Sequence, residues 1–183
     1  MAYDWTNLYL CCSRCNRRHK HDLFPLADSR LRVEHHRDAH LLGREKPLFI
    51  DPGSDEPSEH LEFRREYVAP RAGSLRGKTT IKELGLGRDA LVEERRDCRK
   101  KLLLLLEGLW VALAGPAPDP TWCRKAVAAL VDACSDSAEY SAMTRATLHA
   151  AIPWRRIGPA DDPAVVLQDL RAGRGNGNAI DTT

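Results

Sequence analysis

Apolar positions recur at helical spacing only in the second half of the chain. Leu91, Val92, Leu102, Leu105, Leu109 and Leu113 supply a buried face for a long helix from about Asp89 to Leu113. Its apolar run, Leu102 to Ala114, is broken by Glu107 and Gly108. A membrane span needs roughly 20 apolar residues, so this segment reads as a core helix. Asp119-Pro120 gives an N-cap followed by proline at the first helical position, opening a helix through about Ala133. A last helix is expected from near Ser137 to Ala151. Ahead of the long helix, Thr80-Ile81-Lys82-Glu83 fits a capping box, with Thr80 as the cap of a short helix ending near Gly85 or Gly87.

The first half has another texture. Trp5 to Cys11 is short, aromatic and apolar enough for a strand, followed by the small polar stretch Cys12-Ser13-Arg14-Cys15 and a basic run ending at Phe24-Pro25-Leu26. Between Ala27 and Gly77 there is little periodicity, and Pro47, Pro52, Pro57, Pro70 and Gly73 punctuate the text. This predicts ordered loop with short strands, Pro47-Leu48-Phe49-Ile50 being one candidate. The chain after Gly158 is thin in core residues and is expected to be a disordered tail. The fold class is α+β, mainly α. Its parts are a compact unit over 1–26, an irregular connection over 27–78, a helical domain over 79–157 and the tail over 158–183.

Composition narrows the setting. The 183 residues carry 28 Lys plus Arg against 26 Asp plus Glu, a formal charge of +2, so any basic patch is local. With three Phe, four Tyr and four Trp, the core leans on Leu, Ala and Val. Six cysteines, at 11, 12, 15, 98, 123 and 134, do not form the paired spacings of a secreted disulfide scaffold. No apolar leader resembles a secretion signal, which points to a reducing cytoplasm and away from a membrane. Cys98, Cys123 and Cys134 read as small core residues.

Cys12 and Cys15 remain to be explained. Their C-x-x-C spacing places two thiolates about 4 Å apart on one tetrahedral metal ion. A thioredoxin-type redox pair would need a βαβ unit, which the pattern does not show; redox and chance stay open beside zinc. A closed zinc site wants four ligands, and His19 and His21 are the nearest further candidates. Arg14, Arg17, Arg18 and Lys20 put four fixed positive charges into seven residues, beside His19. That suits phosphate contact, and taken by itself it equally suits a solvated helix face.

These residues together resemble a known family. Tyr3-Asp4-Trp5-Thr6-Asn7-Leu8, then Cys12-x-x-Cys15-Asn16-x-x-His19-Lys20, then Leu23-Phe24-Pro25-Leu26 resemble the HNH endonucleases found with retrons and Septu-type anti-phage systems. Weaker matches follow at Glu45-Lys46-Pro47-Leu48-Phe49-Ile50-Asp51-Pro52, at Thr80 to Leu86, and at Ala142-Met143-Thr144-Arg145-Ala146, covering about residues 3–150 in order. The resemblance implies a partial ββα-metal unit at the N-terminus. It implies metal-dependent phosphodiester hydrolysis of DNA with one divalent cation, Mg²⁺ or Mn²⁺. Asn7 would orient the general-base histidine, and Asn16 would be an oxygen ligand of the cation. Cys12 and Cys15 would hold half of a structural Zn²⁺ knuckle, and Arg14, Arg17, Arg18, His19 and Lys20 would contact nucleic acid. A partner ATPase encoded nearby is implied, with the helical C-terminal region as its docking surface.

The family places its general-base histidine and a second cysteine pair before the strand that carries Asn7. Only six residues precede Asn7 here, and none is His or Cys. The expectation is therefore a late start, a shortened gene or an inactive relative, and the spacing of His35, His36 or His40 recommends none of them as a substitute. The competing reading is a catalytically inactive zinc-knuckle and helical module that binds nucleic acid or the ATPase. Two lesser patterns are set aside: Gly77-Lys78-Thr79 lacks the P-loop's earlier glycine and reads as a basic turn before a helix. His35, His36, Asp38 and His40 read as exposed polar loop.

Overall fold

The computed structural model describes Tyr9, residues 11–117 and residues 119–175. Among them are a two-stranded hairpin, β1 (Leu61–Arg64) and β2 (Tyr67–Pro70), and five α-helices: α1 (Leu75–Glu83), α2 (Asp89–Ala114), α3 (Pro120–Ala133), α4 (Ser141–Ala151) and α5 (Pro163–Gly175). The fold is α+β and mainly α, as the pattern indicates. The chain divides into two compact units, one of residues up to 62 with 68–88, the other of 63–67 with 89 onward.

The first unit is loop-rich because proline prevents ladders from growing. Leu26 and Pro47 form an isolated antiparallel bridge, flanked by Ala27 N–H to Lys46 O (2.9 Å) and Leu48 N–H to Pro25 O (2.9 Å). Neither Pro25 nor Pro47 can donate, so the strand expected over 47–50 is reduced to this one bridge. The ladder forms instead at 61–70, in strands of four residues each, too short for the pattern to announce.

Helix α1 organises this unit. It begins five residues before the predicted cap: Ser74 Oγ, not Thr80, accepts from an early backbone donor, Gly77 N–H, at 3.1 Å. Thr80 is buried and accepts from Ile50 N–H at 3.1 Å. Arg76 donates to Phe49 O at 2.8 Å and forms a two-pronged pair with Asp55. The α1 hydroxyl and guanidinium thus fasten the 49–55 loop. Gly77-Lys78-Thr79 lies inside α1 and is no turn at all. A Cβ on Gly77 would stand 2.2 Å from the carbonyl oxygen of His60, so the glycine is there for close approach of backbone. The helix ends in a Schellman motif, with Leu86 N–H to Ile81 O (2.9 Å) and Gly85 N–H to Lys82 O (3.2 Å) around Gly85 at φ +59°.

In the second unit, α3 packs against α2 and α5, and α2 also packs against α4. Leu106 and Leu109 of α2, Val127 and Leu130 of α3, Met143 and Leu148 of α4 and Val166 and Leu170 of α5 are almost wholly buried. Cys123 and Cys134 are core residues, and Cys98 is half-buried. Leu91, Leu105 and Leu113 are half-buried, while Arg95, an unexpected member, is buried with its guanidinium 5.5 Å from the Phe63 ring centroid.

The expectation of disorder from residue 158 is corrected over its described part. Asp162 accepts from Ala164 N–H at 2.8 Å and caps α5, whose Val166, Leu167 and Leu170 enter the core. Gly173 lies where a Cβ would meet Trp154 Nε1 at 2.3 Å. Residues 176–183 of the expected tail lie outside the described residues. Helix α4 starts at Ser141, four residues after the expected Ser137, because Tyr140 takes a left-handed φ of +56° immediately before it. No helix among the described residues is long and apolar enough to cross a membrane.

Candidate zinc knuckle and basic turn

The C-x-x-C pair opens a short helical segment of π type, Arg14–Lys20. Asn16 N–H donates to Cys12 O at 2.9 Å, and Cys15 N–H donates to Cys12 Sγ at 3.3 Å. A backbone amide aimed at a sulfur favours its anionic form. Cys12 is accordingly held below the usual thiol range, first by the Cys15 amide and then by the Cys15 thiol. Cys15 is pushed up, first by burial and then by the Cys12 sulfur, with Arg88 opposing. The two sulfurs are therefore pushed in opposite directions, Cys12 down and Cys15 up.

The C-cap of α1 supports this turn within the same unit. Arg88 donates to Gly85 O at 3.2 Å and places the same nitrogen 3.6 Å from Cys15 Sγ. A Cβ on Gly85 would fall 2.5 Å from the His19 ring, so the imidazole rests directly on the glycine. His19 and Lys20 are half-buried, whereas Arg14, Asn16, Arg17 and Arg18 are exposed. Among the described residues, Arg14, Arg17 and Arg18 have no carboxylate partner. Their charge is thus available to an anion, while His19 has a packing role that its place in the basic run did not reveal.

Upstream, Asn7 lies outside the described residues, as does most of the strand expected over 5–11; Tyr9 and Cys11 are in neither strand nor helix. Tyr9 is tied to the Asp51 turn. Its hydroxyl donates to Asp51, which raises the phenol and lowers the carboxyl, and the ring lies where a Cβ on Gly53 would be 2.3 Å from the hydroxyl oxygen. Asp51 also accepts from Gly53 N–H at 2.9 Å and the Ser54 hydroxyl at 2.9 Å. The turn at Asp51-Pro52-Gly53 therefore bears on the approach to the knuckle. Spacing could not have announced it, nor Arg88.

Two sulfurs are half of the donors of a closed zinc site. Among the described residues no group of three or more His, Cys, Asp or Glu side chains converges, so His19 and His21 do not complete the set. His35 and His40 are exposed, and His36 and His40 fall in the 3₁₀ segment His36–Arg44. The donor chemistry nevertheless fits a thiophilic ion at Cys12 and Cys15, with a backbone amide aimed at one sulfur.

No family model matches the chain, and no solved structure matches it. The chain is 36% identical over 114 residues to the Septu protein PtuB of Bacillus mycoides (strain KBAB4). The matched stretch covers 60% of this chain and 38% of that relative, so the chain spans well under half the length of the protein it resembles.

Proposed function

We propose that this chain is the knuckle-bearing and helical part of an HNH-type DNA endonuclease of an anti-phage defence system, acting beside a partner ATPase. The observation that carries the reading is the Cys12–Cys15 turn, with an amide on one sulfur, Asn16 exposed at the head of the turn and three exposed arginines beside it that have no carboxylate partner among the described residues. The similarity to a Septu protein supports the defence setting.

In this reading Cys12 and Cys15 contribute two ligands to a structural Zn²⁺. Arg14, Arg17 and Arg18 hold the phosphodiester backbone, Lys20 adding charge at the end of the turn. Asn16 offers an amide oxygen to Mg²⁺ or Mn²⁺, and Asn7 would orient a general base that none of the six residues ahead of it supplies. The bound divalent ion supplies charge neutralisation at the scissile phosphate. His19 positions the turn through its seat on Gly85 and leaves phosphate contact to its exposed neighbours.

The test is plasmid nicking with Mg²⁺ or Mn²⁺, together with metal content and DNA retention. Zinc should co-purify with the chain and drop on Cys12→Ser or Cys15→Ser. The double variant Arg14→Gln/Arg17→Gln should weaken DNA retention by about tenfold, since each lost phosphate contact lowers the salt-dependent affinity. Asn16→Ala should abolish nicking and leave retention intact. A chain that retains DNA and does not nick under any of these ions is a binding module, and the endonuclease reading fails for it.

A further inference from the structure

A cavity of about 450 Å³ lies within the second unit, remote in sequence from the knuckle. Helix α2 lines it with Arg99, Leu103, Leu106, Glu107, Trp110 and Val111, one face by helical spacing. Helix α4 lines it with Ala146, Thr147, Ala150 and Ala151, whose short side chains leave the space open. The hairpin adds Phe63 and Arg64 from β1 and Arg65 from its turn.

Its chemistry is divided along its length. The hairpin turn is anchored near the start of α2: Arg96 donates to Glu66 at 3.0 Å and to the Tyr67 hydroxyl at 3.3 Å, and Arg95 stacks on Phe63. Arg65 lies in that turn, and Arg99 follows Arg95 and Arg96 by one helical turn, on the cavity's lining. Trp110 lies eleven residues further along α2, about 16 Å at 1.5 Å per residue. Between them the wall is aliphatic, with two polar features. Thr147 is 7% exposed, and its hydroxyl oxygen has no hydrogen-bond partner among the described residues. A helical threonine usually returns its hydroxyl to the carbonyl four residues back, so an idle one lining a cavity is an unfilled position. Arg99 Nε is likewise buried without a partner. Glu107, an exposed residue, is the one carboxylate of the lining, which also holds Arg65 and Arg99.

We propose that this cavity binds a nucleotide, with its phosphate on Arg65 and Arg99 beside Arg64 and its base between the aliphatic wall and Trp110. The volume falls in the small-molecule range of about 300–1,000 Å³. Planar guanidinium forks match phosphate oxygens. A plain hydrocarbon anion would satisfy the arginines but leave the Thr147 hydroxyl unpaired, whereas a base edge carries both donors and acceptors for Thr147 and Glu107. The nucleotide could be free or the phosphorylated end of a strand. The assignment does not depend on the knuckle or on nuclease activity.

Isothermal titration of the whole chain with AMP, adenosine, inorganic phosphate and decanoate tests it. AMP should saturate one site at least tenfold more tightly than adenosine or phosphate. Arg65→Gln and Arg99→Gln should each weaken AMP at least fivefold and leave adenosine unchanged, and Ala150→Leu should weaken both by filling the space. Arg65 is exposed on the turn, so its variant carries the test if Arg99→Gln lowers the melting temperature. A 5′-phosphorylated tetradeoxynucleotide binding more tightly than AMP makes the strand end the source. Equal affinity for AMP and adenosine, tighter binding of decanoate, or an unchanged affinity in both arginine variants overturns the proposal.

Discussion

At the scale of single residues, two glycines decide how the first unit closes. A Cβ at position 77 would meet the backbone of His60, at 2.2 Å from its oxygen and 3.1 Å from its carbon. Backbone cannot swing aside as a side chain would, so Gly77→Ala is expected to cost about 1–3 kcal/mol, the range for forced overpacking. The measurement is denaturant unfolding, and a loss below about 0.5 kcal/mol would show that the hairpin base yields freely. Gly85 differs because its left-handed φ of +59° adds a conformational cost of about 1–2 kcal/mol for alanine. The new methyl would also press on the His19 ring at 2.5 Å. Gly85→Ala should therefore disturb the knuckle as well as stability, and the His19 ring resonances should shift. Gly87, with nothing within 4 Å of its Cβ position, serves as the control.

At the scale of elements, the same two-residue signal starts two helices, and its surroundings disguise one of them. Asp119-Pro120 signals a helix start, and Asp119 accepts from Thr121 N–H at 2.8 Å. Asp162-Pro163 is the same signal with the same geometry at Ala164, yet the glycines and arginines beyond it made the segment look like a tail. Only the packing of Val166, Leu167 and Leu170 on α3 and its neighbours turns this sparse apolar set into a buried face. Leu170→Ala should accordingly cost about 2–5 kcal/mol, and Asp162→Ala about 1 kcal/mol through loss of the cap. A Leu170→Ala protein melting with the parent would return the segment to the status of a tail. The long helix α2 was legible because its apolar residues outnumber its exceptions. Arg95 and Glu66 were not, because periodicity places charge at the surface and cannot foresee a ring or a guanidinium that makes burial tolerable. In the candidate site, the Cys12–Cys15 spacing and the exposed arginines were readable as local patterns. Arg88 lies 73 residues from Cys15, and such a contact exists only after α1 has its cap.

At the scale of the whole molecule, charge is nearly balanced in total but is spent in specific pairs in both units. Asp51 and Asp55 in the first unit and Glu66 and Asp161 in the second are all held below the ordinary carboxyl range. For Asp55 the main cause is the Arg76 side chain, followed by the Asp51 amide, which donates to it at 2.6 Å. For Asp161, burial works against the charged form and is outweighed by Gly158 N–H at 2.7 Å and Arg155 at 2.9 Å. A carboxyl whose folded pKa is depressed binds fewer protons folded than unfolded. Its contribution is complete above the unfolded value, about 3.9 for Asp, and is lost as pH falls through the folded value. The melting temperature should therefore stay level from about pH 8 to pH 5 and fall below about pH 4. Asp55→Asn removes the charge that Arg76 faces while keeping the side chain's size. It should melt below the parent at pH 7, and the two curves should converge as pH falls through the folded carboxyl's own range and the parent becomes protonated as well. A gap that stays constant across that range would mean that Asp55 acts through its shape and hydrogen bonds rather than through its charge on Arg76.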